Sequence, residues 1–337
     1  MKIHIFFSFL LAFSFSKLFY EEDIRIQEEI ASIKFYDFRL TSQIQNPPPR
    51  KIIPSKSDFN PSEWLKSVNG SKKIFSLSIP GTHETCARHG GPLTECQTWS
   101  VEEQLLNGVR YLDIRCRHIS DVFMIHHGLV YQQLSFGSGV RDVCINFLKE
   151  HPTEFIFMQI KEEYKATNNT RTFSETLQSY IDDYEEYFYL REKSPTLDQV
   201  RGKIVILRRF DPVYSPQGNY LKFQDNAIFT SSTTITARIQ DCYVVTTLFD
   251  RSTKWDHVYQ ILNESVQNKD EDKLFVNFGS GTSPLCFPYA VADYITPKIG
   301  YYLEVTMPNA FVGVIMFDFI DSYYNNLIEI LVKRNFV

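Results

Sequence analysis

Ser78-Ile79-Pro80-Gly81-Thr82-His83-Glu84-Thr85 is the stretch around which the chain is organised. The apolar run before it, Ile74-Phe75-Ser76-Leu77, reads as a strand entering a core. Pro80-Gly81 is expected to end that strand, because Pro cannot donate to a ladder and Gly permits a sharp turn. An imidazole and a carboxylate follow at once. Such a pair at the carboxyl end of a buried strand is where α/β enzymes place their chemistry. Taken alone, the stretch is equally a turn carrying a solvated His and Glu.

Downstream, strand-type runs alternate with helical ones. The strand candidates are Ile74–Ile79, Val109–Arg115, Phe123–His126, Phe155–Ile160, Ile204–Leu207, Tyr243–Thr246, Leu274–Phe278 and Val312–Phe317. The helix candidates are Ser100–Asn107, Val140–Glu150, Phe173–Tyr187, Thr253–Val266, Ala290–Leu303 and Tyr323–Val332. Several strands are apolar almost throughout, as strands covered on both faces are. This alternation predicts an α/β fold, a single irregular (β/α)8 TIM-type barrel. Polar residues then collect at the expected strand ends: His83-Glu84, Arg115, His126-His127, Lys161-Glu162, Arg208-Arg209, Asp241-Tyr243 and Asp318. Fixed cations suit an anionic phosphorus centre, and paired His and carboxylate suit acid/base chemistry near neutral pH.

Bulk properties narrow the function. The 337 residues suffice for one large domain, and 28 Phe and 19 Tyr supply a substantial core. A net charge of −5 offers no polycationic face for nucleic acid. Met1–Ser16 has a basic start, a short apolar core and small residues at its end, which predicts a secretory signal peptide, with an uncleaved anchor as the alternative that its shortness disfavours. Export agrees with six cysteines (Cys86, Cys96, Cys116, Cys144, Cys242 and Cys286) and with sequons at Asn69, Asn168 and Asn263. A Cys86–Cys96 disulfide is expected across a short Gly/Pro loop, and no Cys-x-x-Cys spacing suggests zinc. Residues 17–59 read as an irregular extension containing the stiff Asn46-Pro47-Pro48-Pro49-Arg50, and residues 60–337 as the barrel. A short helix is expected around Trp64-Leu65, capped by Asn60 or Ser62 with Pro61 in its first turn.

Seven segments in order carry a resemblance. They are Ser78–His83, Gln104–Arg115, His126-His127-Gly128, Phe147–Glu154 leading into Met158–Glu162, Gly202–Arg209, Gln240–Tyr243 and Val314–Ile320. Together they resemble the X domain of phosphatidylinositol-specific phospholipases C, in its metal-independent bacterial form. The resemblance implies attack of the inositol 2-hydroxyl on phosphorus, releasing diacylglycerol and a cyclic inositol phosphate. It implies His83 as general base oriented by Asp318, His127 as general acid partnered by Glu84, and Arg115 on the phosphate. Lys161, Arg209 and Asp241 would bind the inositol hydroxyls, with Tyr243 against the ring.

The resemblance implies no cofactor and no metal, a transient peripheral contact with a membrane surface, a monomer and an extracellular or secretory-lumen location. The physical argument agrees on the chemistry: two imidazoles on opposite sides of phosphorus run an in-line displacement, and Arg offers a rigid fork to phosphate oxygens. The family has Asp after its first histidine and this chain has Glu84, one methylene longer. A catalytically silent inositol-lipid-binding protein is therefore the second reading, and a glycerophosphodiester phosphodiesterase a more distant third. His126 is expected in the core by strand alternation, Asp113 as a support for Arg115, and Arg208 as a structural or solvated charge. His89, His118, His151 and His257 are expected at the surface. Phe136, Tyr214, Tyr220 and Phe287 are candidate membrane-facing aromatics.

Overall fold

The computed structural model describes residues 59–267 and 270–336. The signal segment 1–16, the polyproline stretch and residues 17–58 of the extension lie outside the described residues. Among the described residues, twelve strands form one sheet. They are β1 (Ile79–Thr82), β2 (Tyr111–Ile119), β3 (Val122–His127), β4 (Val130–Ser135), β5 (Phe155–Glu162) and β6 (Phe188–Tyr189). Then follow β7 (Lys203–Arg208), β8 (Asn219–Tyr220), β9 (Ala227–Ser232), β10 (Thr236–Asp241), β11 (Lys273–Phe278) and β12 (Val314–Phe317). Six α-helices accompany them among the described residues: α1 (Val101–Leu106), α2 (Asp142–Glu150), α3 (Phe173–Ile181), α4 (Arg251–Gln267), α5 (Pro288–Tyr301) and α6 (Leu327–Val332).

The main path of the sheet runs β6-β7-β5-β2-β1-β12-β11-β10-β9 and is parallel except for the β9–β10 pairing, while β3 and β4 extend from β2 as an antiparallel meander and β8 pairs with β7. It curls into an irregular barrel. Its far edges are not laddered together. Side chains bridge them instead: Tyr220 N donates to Thr234 Oγ1 (2.7 Å), Lys222 N donates to Ser231 Oγ (2.9 Å), and the Thr233 hydroxyl donates to Tyr220 O. Hydroxyls thus satisfy backbone groups that an open edge would leave bare.

Alternation along each strand separates two cores. Ile79, Tyr111, Phe157, Val205, Leu207, Ile239, Val276 and Met316 fill the barrel interior. Leu112, Ile114, Ile156, Met158, Ile204, Ile206 and Ile315 face outward onto residues such as Val101, Leu148, Leu177 and Ile295 of the helices. Helix starts match the local chemistry: Ser100 and Thr172 close capping boxes with Glu103 and Glu175. Asn60 caps the expected short helix, a 3-10 segment at Pro61–Ser67. At the amino ends of β2 and β5, Arg110 and Glu154 form a fully buried ion pair at 2.9 Å, and Arg110 also donates to the carbonyls of Leu105, Val109 and Ser62.

The structure corrects several expectations. Ile74–Ser76 is a 3-10 turn, and the strand begins only at Ile79. Pro80 and Gly81 lie inside β1 rather than ending it. Pro80 is tolerated because pairing with β2 starts at Gly81, so no ladder bond needs its missing N–H. Gly81 answers crowding rather than a turn: a Cβ there would sit 2.5 Å from Sδ of Met316, its partner on the adjacent strand β12. Residues 243–246 are not a strand, since the ladder partner of β11 is Thr236–Asp241 upstream. No disulfide forms, and all six cysteines are buried free thiols. Cys86 joins Cys116 and Cys144 in the outer core, whereas Cys96 sits beside His83 and Asp318, so their surroundings differ. His118 is buried, its Nε2 2.8 Å from Thr176 Oγ1 and its ring edge-on to Phe123 and Phe173. Phe136 and Phe287 are core residues, and Tyr220 lies against Arg208.

Candidate active site

The alternation that builds the barrel interior also builds the site. Following Ile79 and Gly81 inward leads to His83. Tyr111 leads to Asp113 and Arg115, Phe157 to Gln159 and Lys161, Leu207 to Arg209, Ile239 to Asp241, and Met316 to Asp318. In each case the inward set turns polar at the carboxyl end of its strand. Parallel register places Arg115 directly opposite Lys161.

His83 Nδ1 lies 2.8 Å from Asp318 Oδ1. The carboxylate holds the proton on Nδ1 and leaves Nε2 as the basic nitrogen. Burial lowers the His83 pKa, and the Asp318 charge and hydrogen bond more than reverse that, so it stands above the usual histidine value. Gln97 clamps both segments by donating to His83 O (2.8 Å) and Phe317 O (2.9 Å).

Arg115 is the centre of the charge network. Its Nη2 donates to Asp113 Oδ2 at 2.9 Å, its Nη1 lies 2.9 Å from Glu84 Oε1, and Glu163 Oε2 lies 3.8 Å from Nη1. Burial opposes its charge, and Asp113, Glu84 and Glu163 overcome that opposition, holding it firmly cationic. Asp113 is buried and also accepts from Gln159 Nε2 (2.6 Å) and Glu84 N (3.1 Å). Burial pushes its carboxyl up, and Arg115, with His83, pulls it well below the usual range. Asp113 is therefore a support for the guanidinium.

Glu84 spans two groups. Besides Arg115, its Oε1 lies 3.8 Å from His127 Nε2. The contact to Arg115 is a charge contact without the alignment of a hydrogen bond. Glu84 adopts a left-handed backbone (φ 43°), which costs a side-chain-bearing residue about 1–2 kcal/mol. His127 Nδ1 lies 2.8 Å from Thr94 O, which fixes the proton there and turns Nε2 toward Glu84.

Lys161 Nζ is held by Glu163 Oε2 at 2.8 Å, and Glu163 Oε1 accepts from Gly128 N at 3.0 Å. The Arg209 guanidinium lies 3.4 Å from the Phe223 ring centre, and its Nη1 is buried with no partner among the described residues. Tyr243 follows β10 in a loop and donates its hydroxyl to Asp225 Oδ1 at 2.9 Å. Arg208 is buried and structural, bonding Gly218 O and Glu192. His126 is buried.

Sequence reasoning missed Glu163, Phe223, Asp225, Cys96 and Lys254. Only Glu163 had a signal, since Gln159, Lys161 and Glu163 continue one inward alternation while Glu162 points away. Lys254 reaches the site from α4: buried, it donates to Gln240 Oε1 (2.9 Å) and Cys242 O (3.0 Å), bracing the end of β10 around Asp241.

Residues 75–210 match the family model described as phosphatidylinositol-specific phospholipase C, X domain. A 1-phosphatidylinositol phosphodiesterase of Listeria monocytogenes is 30% identical over 297 residues, covering 84% of this chain and 87% of the relative. The chain belongs to the phosphatidylinositol-specific phospholipase C family. Among solved structures of phosphatidylinositol-specific phospholipases C, the Listeria monocytogenes enzyme superposes with a TM-score of 0.66 at 27% identity, covering 82% of this chain and 99% of that one. A Staphylococcus aureus structure concerned with modulation of membrane binding gives 0.75 at 25% identity, covering 82% and 98%. In this member of the phospholipase C family, Asp241 and Asp318 lie beyond the matched X segment, at the end of β10 and just past β12, strands that complete the barrel.

Proposed function

We propose that this chain cleaves phosphatidylinositol, or a glycosylphosphatidylinositol anchor, to diacylglycerol and inositol 1,2-cyclic phosphate. His83 Nε2 takes the proton of the inositol 2-hydroxyl as that oxygen attacks phosphorus. His127 Nε2 gives a proton to the departing diacylglycerol oxygen. Arg115 binds the phosphate and meets its developing charge, while Asp318 orients His83 and Glu84 partners His127. The carrying observation is the division of labour between two imidazoles: each has Nδ1 fixed by an oxygen at 2.8 Å and Nε2 left for substrate. Lys161, Arg209, Asp241 and Tyr243 hold the inositol, and the unpartnered Arg209 Nη1 is a donor awaiting a hydroxyl. Reaction through Arg115 asks for no metal at the phosphate, because the guanidinium supplies the positive charge there.

The barrel over residues 60–337 is read as one catalytic domain, exported by the segment 1–16 and linked to it by 17–59. It is read as acting as a monomer at a membrane surface. Two linked loops at the carboxyl-end rim support that contact: Ser283 Oγ donates to Thr246 O (2.9 Å), and the loops carry Val244, Leu248, Phe249 (90% exposed) and Leu285 (71% exposed). No described helix is long and apolar enough to cross a membrane. Asn69 and Asn168 are exposed and suit glycosylation.

The test is turnover of phosphatidylinositol vesicles in excess chelator, with cyclic inositol phosphate followed by phosphorus NMR. Product that disappears in His83→Ala is expected. Vesicle binding without product would favour the silent lipid-binding reading, which the Glu84–Arg115 contact keeps open.

A further inference from the structure

We propose that His83, Cys96 and Asp318 form a capture site for a thiophilic divalent cation such as Zn2+, which halts turnover by occupying the base. The inference deepens the proposed reaction and rests on His83 serving it. One ring nitrogen of His83, Cys96 Sγ and one Asp318 carboxylate oxygen all lie within 4.8 Å of one another. Tetrahedral zinc with bonds of about 2.0–2.3 Å needs donors roughly 3.4–3.8 Å apart, so closing the site asks for about 1 Å of side-chain movement.

Two observations point to a missing ligand. Asp318 is 1% exposed, and its Oδ2 has no hydrogen-bond partner among the described residues. Cys96 Sγ makes only a long 3.7 Å contact to Thr94 O. A buried carboxylate oxygen without a donor is costly unless something cationic meets it.

The donors are also preorganised. Phe319 N donates to Cys96 O (2.8 Å) and Cys96 N to Ala87 O (2.9 Å), which pins Cys96 beside the Asp318 segment. Gln97 ties the His83 and Phe317 carbonyls together. His83, 16% exposed, is the way in from the mouth. The charges balance: Zn2+ takes the Asp318 carboxylate and a thiolate, with neutral imidazole as third ligand. The thiol proton leaves to solvent as the Zn–S bond forms, and as the cation takes His83 Nδ1, the nitrogen facing Asp318, the proton held there passes to Nε2, which can then no longer accept one. Glu84 and Asp113 add attraction, while Arg115 opposes it.

This cation is not part of the reaction. It competes with the proton transfer to His83.

The test uses the full chain with Zn2+ or Cd2+ alone as probe. One Zn2+ per chain is expected by calorimetry, with proton release and with inhibition reversed by chelator. Cys96→Ser should keep basal turnover and raise the inhibitory Zn2+ concentration at least about tenfold, since even outer partners of a metal site are worth that much. Cd2+ should give an ultraviolet thiolate charge-transfer band in the wild type that is absent from Cys96→Ser. Equal inhibition of both proteins, or a wild type without the band, overturns the proposal, as does a Cys96 that does not titrate as a thiol after denaturation. Should Cys96→Ser fail to fold, weakening of the band in Asp318→Asn decides the matter, and its persistence at full strength refutes it. Should the chain show no phospholipid turnover, the band and stoichiometry still test capture, separately from the proposed reaction.

Discussion

Asp318→Asn is the sharpest probe of the mechanism, because it keeps shape and removes one charge. The Asp318 carboxylate accepts from His83 Nδ1 at 2.8 Å. A hydrogen bond to a charged partner is worth about 1.5–3 kcal/mol against about 0.5–1.5 for a neutral one. The imidazolium form of His83 therefore loses roughly 1–1.5 kcal/mol, close to one pH unit at 1.36 kcal/mol per unit. His83 stands above the usual histidine value because of Asp318, against the pull of burial. A base works when neutral, so activity rises as pH climbs through its pKa. Removing Asp318 lowers that pKa, and the acid limb of kcat/KM should move about one unit to lower pH. Turnover at the optimum should fall by about 10²–10⁴, since the ring also loses its fixed orientation. The assay is a kcat/KM profile on phosphatidylinositol across the acid range, with circular dichroism to check folding. An acid limb that stays in place while turnover falls would refute the assignment of His83 as the titrating base.

Three further outcomes are expected. Glu84→Asp shortens the side chain by about 1.3 Å, lengthening the 2.9 Å contact to Arg115 and freeing Nη1 for phosphate; kcat/KM should rise several-fold, and a tenfold fall would show that Glu84 reaches for a purpose. Burial pushes the Lys254 pKa down from 10.5 to about 8, so the native state sheds that proton first and wild-type stability should gain on Lys254→Met as pH rises between those values; a pH-independent difference in urea midpoints would contradict this. Glu154→Gln leaves Arg110 buried without its counter-charge, which should cost about 3–5 kcal/mol, measured by urea unfolding; a loss under about 1 kcal/mol would mean that the carbonyls around Arg110 suffice.

Legibility followed periodicity. β2, β5, β7 and β11 were readable because strands covered on both faces are apolar on both alternations, and their ends differ from expectation by only a few residues. The carboxyl-end polar residues were readable for the same reason: they interrupt an apolar inward set. β1 was misplaced because Pro80 and Gly81 signal a turn locally, while the barrel makes them a strand. Pro80 sits where β2 has not yet begun, and Gly81 where Met316 leaves no room for a Cβ. The pairing of Cys86 with Cys96 suited the spacing, yet spacing says nothing about which side of a sheet each sulfur meets. His118 read as surface because a lone polar residue near strand polarity carries no sign of the aromatic pocket that encloses it.

What the sequence determined by itself is the alternating α/β plan, the inward register of His83, Arg115, Lys161, Arg209, Asp241 and Asp318, and hence the chemistry offered at one barrel end. Those follow from local spacing, since strand alternation carries each side chain inward whatever its neighbours are. The resemblance named Asp318 for His83 and Glu84 for His127; only the tertiary structure decided the contacts themselves, and it added Thr94 on His127, Glu84 on Arg115 and Cys96 beside His83. These pairs are far apart in the chain or depend on a single methylene of reach. They exist only once the sheet has curled and brought β12 against β1.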